Sequence, residues 1–300
     1  MMRTEKKMDQ YPPDHQATDY NRRFPIAIVV DTTISMTLKQ PGDDKSLLDY
    51  LNENIREFLL EIVKDPEISP HAYVSYVVFA DEVTMETDFL KPSMLKKSDF
   101  RELNGSGQRV SMINESYQRQ GSRLSVNIPV FYDINRPTYS HIGCGVLRAI
   151  EKLEAFKKKL KEDPKSNISY YVPMMVLITD GAPEDTSDPY EEEVAIKLVK
   201  DHCISYGGPD NLIIPLICGI GANAGNTDLV RYSDGCKKGL RIVNPSQANE
   251  GFRCFFDLIR GSIKQTIDLN SYQSGSPKPE RYQKPTTAEE HVYDPSDDDD

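Results

Sequence analysis

The chain has 300 residues, a formal net charge of -11 at pH 7 and a sequence pI near 5.1. This acidic balance argues against nucleic acid and membranes as partners, because their phosphates attract basic patches. Hydrophobic residues make up 38% of the chain, and every apolar run is shorter than the ~20 residues of a membrane span. The charged N-terminus lacks the apolar stretch of a secretory signal. Because the five cysteines are scattered and odd in number, we expect reduced thiols in a cytoplasmic protein.

From Pro25 onward the pattern alternates between strands and helices. Continuous apolar or β-branched runs predict strands, and apolar stripes at helical spacing predict helices. This alternation predicts one α/β domain with three layers: a doubly wound, mostly parallel central sheet with helices on both faces. The predicted strands cover residues 26–30, 72–79, 83–90, 171–179, 211–218 and 239–243, and the predicted helices cover residues 45–64, 145–161, 190–206, 227–233 and 251–267.

Three segments fall outside this alternation. Residues 1–23 are polar and predict a flexible N-terminal arm. Residues 270–300 end in four aspartates and hold too few apolar side chains to order themselves, which predicts a disordered acidic tail. Residues 101–137 predict an insertion, carrying a hairpin or an extra loop, within a domain of residues 24–269.

Two predicted buried strands end in an aspartate. Asp31 follows the run 26–30, and its loop continues with Thr33 and Ser35, so alternate positions bring a carboxylate and two hydroxyls near one point. Asp180 follows the strand 171–179. Sites in open parallel sheets lie beyond the carboxyl ends of the strands, so both aspartates point to one site. Hydroxyl and carboxylate oxygens suit a hard cation such as Mg²⁺.

A third loop is the candidate for closing this site. Ser140 places a hydroxyl just before a predicted helix, and Gly143 and Gly145 allow close approach of the backbone. Thr138 is an alternative donor in the same loop, and a simple helix N-cap is the alternative role of Ser140. The predicted metal ligands are therefore Asp31, Thr33, Ser35, Ser140 and Asp180.

These pieces together resemble the von Willebrand factor A (vWA) domain over residues 24–268, with the insertion left out. That family carries a metal-ion-dependent adhesion site: D-x-S-x-S, then a distant Thr, then an Asp at a strand end. Asp31, Thr33 and Ser35 fall on the first motif, Ser140 falls on the Thr position, and Asp180 falls on the last. The resemblance implies that the hydroxyls contact Mg²⁺ directly, with Mn²⁺ and Ca²⁺ as alternatives. It also implies that a Glu or Asp of a partner protein completes the coordination.

Within that family the chain is most similar to the TerY type of tellurium-resistance proteins. The similar segments are residues 79–82, residues 178–183 and the Phe-rich last helix. The resemblance implies a cytoplasmic interaction scaffold in a bacterial stress-response system, with a kinase or a phosphatase as candidate partner. Thr33 and Ser140 exchange the family's usual Ser and Thr but keep the hydroxyl, and Ile34 stands where many members have Gly.

We therefore expect an interaction module and no enzymatic activity, with two alternatives. Phosphohydrolases of the haloacid dehalogenase type also place an Asp at a strand end beside Mg²⁺, but their second Asp, two residues later, is Thr33 here. A metal-free scaffold would use the insertion or the tail as its contact surface. The glycine-rich turn 219–225 imitates a nucleotide loop but lacks Gly-Lys-Ser/Thr, so we expect no nucleotide cofactor.

Overall fold

A computed structural model of the chain describes residues 22–39, 43–103, 109–119, 121–132, 140–162, 169–181, 189–203, 212–221, 227–233 and 240–273. Nearly all of the predicted N-terminal arm and acidic tail therefore lie outside the described residues. So does Thr138, the alternative to Ser140.

Strands and helices alternate along most of the described chain, as predicted, and five strands follow one another between the second and third helices. The strands are β1 (Arg22–Asp31), β2 (Ala72–Phe79), β3 (Val83–Glu86), β4 (Arg101–Glu102), β5 (Arg109–Arg119), β6 (Ser122–Tyr132), β7 (Ser169–Tyr170), β8 (Met174–Thr179), β9 (Ile214–Ile220) and β10 (Leu240–Val243). The helices are α1 (Ile34–Thr37), α2 (Leu47–Lys64), α3 (Ile142–Glu162), α4 (Pro189–Cys203), α5 (Thr227–Tyr232) and α6 (Ala248–Gln273).

The central sheet is mostly parallel. Its strands lie in the order β10-β9-β8-β1-β2-β3-β4, and β7 pairs with β1 ahead of β8. All pairs from β10 to β2 are parallel, whereas β3 and β4 form an antiparallel edge. In the central pair Val30 lies beside Ile178, so the chain positions that follow, Asp31 and Thr179, lie side by side at the carboxyl edge.

Both faces of the sheet are covered, which confirms the three-layer prediction. Because side chains alternate along a buried strand, Ile26, Ile28 and Val30 face the core beneath α2 and α6, while Ala27 and Val29 face the core beneath α3, α4 and α5. All five side chains are completely buried. The continuous apolar run of β1 thus reflects a strand with no solvent face.

The predicted insertion contains a long hairpin, β5–β6, whose register runs from Arg109 opposite Tyr132 to Arg119 opposite Ser122. The hairpin packs beside α2 on the same face of the sheet as α6. The ring of Phe131 lies 5.5 Å from that of Tyr76 on β2. The hairpin adds five buried side chains to this core: Val110, Tyr117, Val126, Ile128 and Phe131.

Many element bounds differ from prediction by a few residues, and four differences stand out. The strand predicted to run through residue 90 stops at Glu86, where the Tyr76 amide donates to the Thr87 hydroxyl. Leu90 pairs with Val74 only in an isolated bridge. The strand predicted over 171–179 is split into β7 and β8, and Pro173, which has no N–H, lies in the break. The four-residue α1 is too short to leave a periodic pattern, and α6 runs to Gln273, beyond the predicted end at residue 267.

Candidate metal site

The structure brings the five predicted side chains into one cluster at the carboxyl edge of the sheet. Three loops supply them: the loop after β1, the loop before α3 and the loop after β8. The backbone amide and the hydroxyl of Thr32 both donate to the carbonyl of Phe79, at 3.0 and 3.2 Å. The amide of His141 donates to the carbonyl of Ala80, at 2.8 Å. These bonds tie the first two loops to the end of β2.

Asp31 lies at the centre of the cluster and has no exposed surface. Its Oδ1 accepts hydrogen bonds from the amide of Thr33 at 2.9 Å and from the Thr33 hydroxyl at 2.7 Å. Its Oδ2 accepts from the hydroxyl of Ser140 at 2.9 Å and from that of Thr179 at 2.6 Å. One carboxylate therefore fixes the positions of hydroxyl groups from the loop after β1, the loop before α3 and the end of β8.

The other two side chains extend this network outward. The Ser35 hydroxyl donates to Oδ1 of Asp180 at 2.9 Å, and it lies 3.1 Å from the Thr33 hydroxyl. The hydroxyls of Thr33 and Ser140 are 3.3 Å apart. A continuous series of oxygens, each 2.7 to 3.1 Å from the next, thus runs from Asp31 through Thr33 and Ser35 to Asp180.

Burial makes this cluster electrostatically unfavourable for two ionised carboxylates. Burial raises the pKa of Asp31 above its usual value, against the opposing effect of its hydrogen bonds. Burial and the charge of Asp31 raise the pKa of Asp180 to about 7, and the Ser35 hydroxyl offsets part of that rise. Within the described part of the chain, neither carboxylate forms an ion pair with Lys or Arg. The cluster is therefore a place where a cation would relieve repulsion and desolvation.

Two glycines allow the loops to approach this closely. A Cβ added to Gly145 would come within 2.8 Å of the Phe79 ring, so a larger residue would push the start of α3 off the sheet. A Cβ added to Gly181 would lie 3.2 Å from the hydroxyl oxygen of Ser140. Close approach at Gly145 agrees with the sequence analysis, whereas the role of Gly181 emerges only from the structure.

Thr179 is the site residue that the sequence analysis did not identify. It was assigned to the strand, and its hydroxyl donates to Asp31 from the last position of β8. The sequence signal that could have identified Thr179 is the pair of predicted parallel strands that each end in Asp. Their pairing places the residue before Asp180 beside Asp31. The alternative role of Ser140 as an N-cap is wrong for its side chain, since the hydroxyl contacts Asp31 and Thr33.

The donor set differs from that of a soft transition-metal site. The described residues contain no group of three or more His, Cys, Asp and Glu side chains placed to hold a metal. The cluster instead combines two carboxylates with hydroxyls, which are ligands of hard cations. Cys144, Cys218 and Cys254 form no disulfide. None of the helices within the described ranges has the length and apolar character to cross a membrane.

No protein-family model and no curated protein matches the sequence. Among solved structures, the chain is similar to proximal thread matrix protein 1 of the mussel byssus, with a TM-score of 0.40 and 14% identity over 85% of this chain and 47% of that one. It is also similar to the pilus adhesin SpaC of Lactobacillus rhamnosus GG, with a TM-score of 0.43 and 12% identity over 83% of this chain and 31% of that one.

A third similar structure is the vWF domain of the type V pili tip protein Mfa5 of Porphyromonas gingivalis. Its TM-score is 0.37 and its identity is 9%, over 81% of this chain and 97% of that one. The chain spans less than half the length of the mussel and Lactobacillus proteins. All three TM-scores are below 0.5, so the function of this chain has to be inferred from its own residues.

Proposed function

We propose that this protein is a vWA-type interaction module that binds Mg²⁺ and, through it, an acidic side chain of a partner protein. The proposed ligands are Asp31, Thr33, Ser35, Ser140 and Asp180. The observation that carries the proposal is their convergence, from three loops distant in sequence, into one hydrogen-bonded cluster at the carboxyl edge of the sheet.

The spacing of the hydroxyl oxygens fits the cation. Neighbouring ligands of an octahedral Mg²⁺, each ~2.1 Å from the metal, lie about 2.9 Å from one another. The Thr33 hydroxyl is 3.1 Å from that of Ser35 and 3.3 Å from that of Ser140, so small shifts would make it a neighbouring ligand of both around one octahedral ion. Asp31 and Asp180 supply the negative charge that compensates a divalent ion.

The same donor set supports binding of a further anion. Three of the proposed ligands are hydroxyls, which carry no charge, and four hydrogen bonds already offset part of the charge of Asp31. A bound Mg²⁺ would therefore still attract an acidic side chain. The attraction is strong where water is partly excluded, because charges interact more strongly at low dielectric. Assignment to the TerY type, a cytoplasmic location and a kinase or phosphatase partner rest on sequence resemblance alone.

The hydrolase alternative has less support. A phosphohydrolase of the haloacid dehalogenase type needs a carboxylate oxygen free for attack, whereas both oxygens of Asp31 are engaged and its side chain has no exposed surface. Thr33, at the position of the expected general acid, donates its hydroxyl proton to Asp31. These contacts favour a binding role for the site.

Calorimetric titration with Mg²⁺ tests this proposal, with Mn²⁺ as a second probe. We expect saturable binding to one site in the wild type and its loss in Asp31→Ala, which removes the group that aligns the hydroxyls. Asp81→Ala is the matched control, because it removes an exposed carboxylate from the neighbouring turn after β2. Added acetate, a stand-in for the partner's carboxylate, should strengthen Mg²⁺ binding. A wild type that binds no cation under either condition would overturn the proposal.

A further inference from the structure

The loop that carries Ser140 is held in place by a buried carboxylate from another helix. Glu192, in the first turn of α4, is only 8% exposed. Its Oε1 accepts a hydrogen bond from the backbone amide of Gly143, at 2.7 Å. Its Oε2 accepts a hydrogen bond from the hydroxyl of Tyr232, which ends α5 and has no exposed surface. One side chain therefore links α3, α4 and α5 beneath the candidate metal site.

This contact replaces a local helix cap. The first amides of a helix lack partners within the helix, and a Ser, Thr, Asp or Asn side chain just before it usually accepts from them. Ser140 has the right chemistry, but its hydroxyl is used by Asp31. His141 directly precedes α3, and Glu192 supplies the acceptor for the Gly143 amide.

The packing around Gly143 shows how closely the two helices approach. A Cβ added to Gly143 would lie 3.1 Å from the backbone nitrogen, the Cα and the Cδ of Glu192. On the opposite side, Gly145 rests against Phe79 of β2. The first turn of α3 is thus clamped between the sheet and α4, and Ser140 lies only two residues before the start of the clamped helix.

We infer that Glu192 is a positioning residue of the metal site: by holding the Gly143 amide, it fixes Ser140 at the distance from Asp31 and Thr33 that Mg²⁺ binding requires. This inference rests on the proposed function and assigns a role to α4 and α5, which contribute no ligand. It also predicts that substitutions in α5 that disturb Tyr232 alter Mg²⁺ binding at the site.

Mg²⁺ titration of Glu192→Ala, Glu192→Gln and Tyr232→Phe tests the inference. We expect Glu192→Ala to weaken Mg²⁺ binding by about tenfold or more, the range found when groups that orient metal ligands are removed. Glu192→Gln keeps an oxygen acceptor for the Gly143 amide and should retain most of the affinity. Tyr232→Phe should fall between the two. In the metal-free protein, hydrogen exchange of the amides of residues 141–146 should accelerate in Glu192→Ala.

Two controls separate positioning from general stability. Glu193→Ala removes a neighbouring carboxylate of α4 that is 61% exposed and pairs with Arg231 of α5, so it breaks a link between the same helices without touching α3. Asn52→Ala should destabilise the opposite face of the sheet, because Asn52 of α2 forms two hydrogen bonds with the backbone of Phe131 in β6. Both should leave the Mg²⁺ affinity unchanged. Wild-type affinity in Glu192→Ala, or an equal loss in Asn52→Ala, would overturn the inference while leaving the metal site intact. Absence of Mg²⁺ binding in the wild type would instead overturn the proposed function and this inference with it.

Discussion

Asp31 shows how a buried carboxylate organises a site made of neutral groups. A carboxylate without exposed surface is costly unless hydrogen bonds compensate for lost hydration. Four donors do so here, and they come from the three segments that form the site: two groups of Thr33, the hydroxyl of Ser140 and the hydroxyl of Thr179 at the end of β8. The hydrogen bonds that stabilise the buried Asp31 carboxylate are therefore also the contacts that align the hydroxyls.

Gly181 gives a test at the level of one methyl group. A Cβ at this position would lie 3.2 Å from the Ser140 hydroxyl oxygen and force it to shift by a few tenths of an ångström. We expect Gly181→Ala to weaken Mg²⁺ binding about tenfold, in the range found for misplaced metal ligands, with little loss of folding stability. Gly261→Ala is the control, because a Cβ at that position of α6 meets nothing within 4 Å. Equal Mg²⁺ affinities in the two variants would contradict this account.

The pKa of Asp180 predicts a pH dependence. It is raised from 3.8 to about 7 in the folded metal-free protein, so the carboxyl stays protonated at pH values where the unfolded chain has ionised. Its contribution to stability is therefore full below pH 3.8 and is lost as the pH rises through about 7. Mg²⁺ needs the ionised form, so binding below that pH must release a proton.

The apparent Mg²⁺ affinity should therefore fall by up to about tenfold per pH unit below the pKa of Asp180. Titrations between about pH 6 and about pH 8, in buffers with different ionisation enthalpies, measure both the affinity and the number of protons released. An affinity that does not change over this range, with no proton release, would show that Asp180 is ionised before the metal binds.

Among the elements, the hairpin β5–β6 is packed against α2 on the face of the sheet that α6 also covers. Its attachment depends on Asn52 of α2, whose amide donates to the carbonyl of Phe131 at 3.0 Å and accepts from the Phe131 amide at 2.9 Å. The side chain thus mimics a neighbouring strand. A second link joins Arg56 of α2 to Glu115 of β5 at 2.5 Å.

Asn52→Ala should therefore destabilise the whole domain. It leaves a buried amide and a buried carbonyl without partners, a change that costs about 1–3 kcal/mol. Urea unfolding measures the loss, and Glu53→Ala is the control, because its exposed pair with Lys45 is worth only about 0–1 kcal/mol. Equal stabilities of the two variants would mean that the hairpin is not held through Asn52.

Part of this architecture follows from sequence and part does not. The run before Asp31 and the run before Asp180 are apolar because their strands are buried on both faces, so the strand ends and the first loop were predictable. A hairpin was one of the two structures predicted for the insertion, but its packing beside α2 depends on contacts 79 residues apart in sequence, beyond local periodicity. Glu192 lies in a run of three glutamates typical of an exposed helix, and only the packing of α4 against α3 reveals that it is buried.

At the scale of the whole molecule, the two cores hold β1 and β8 side by side and so fix the distance between their terminal loops. The five candidate ligands depend on that pairing, because Asp31 and Asp180 lie 149 positions apart in the chain and meet only through the sheet. The proposed function therefore depends on one place in the fold, the carboxyl edge of the sheet, where the three loops would form a single divalent-cation site.

The measurement that tests this claim most directly is a crystal structure of the protein grown with Mn²⁺, with anomalous diffraction used to locate the metal. We predict one strong anomalous peak at the carboxyl edge, ~2.2 Å from the hydroxyl oxygens of Thr33, Ser35 and Ser140, with the sixth position open or taken by an acidic group. A peak at another place, or hydroxyls still hydrogen-bonded to one another with no metal between them at saturating Mn²⁺, would contradict the account.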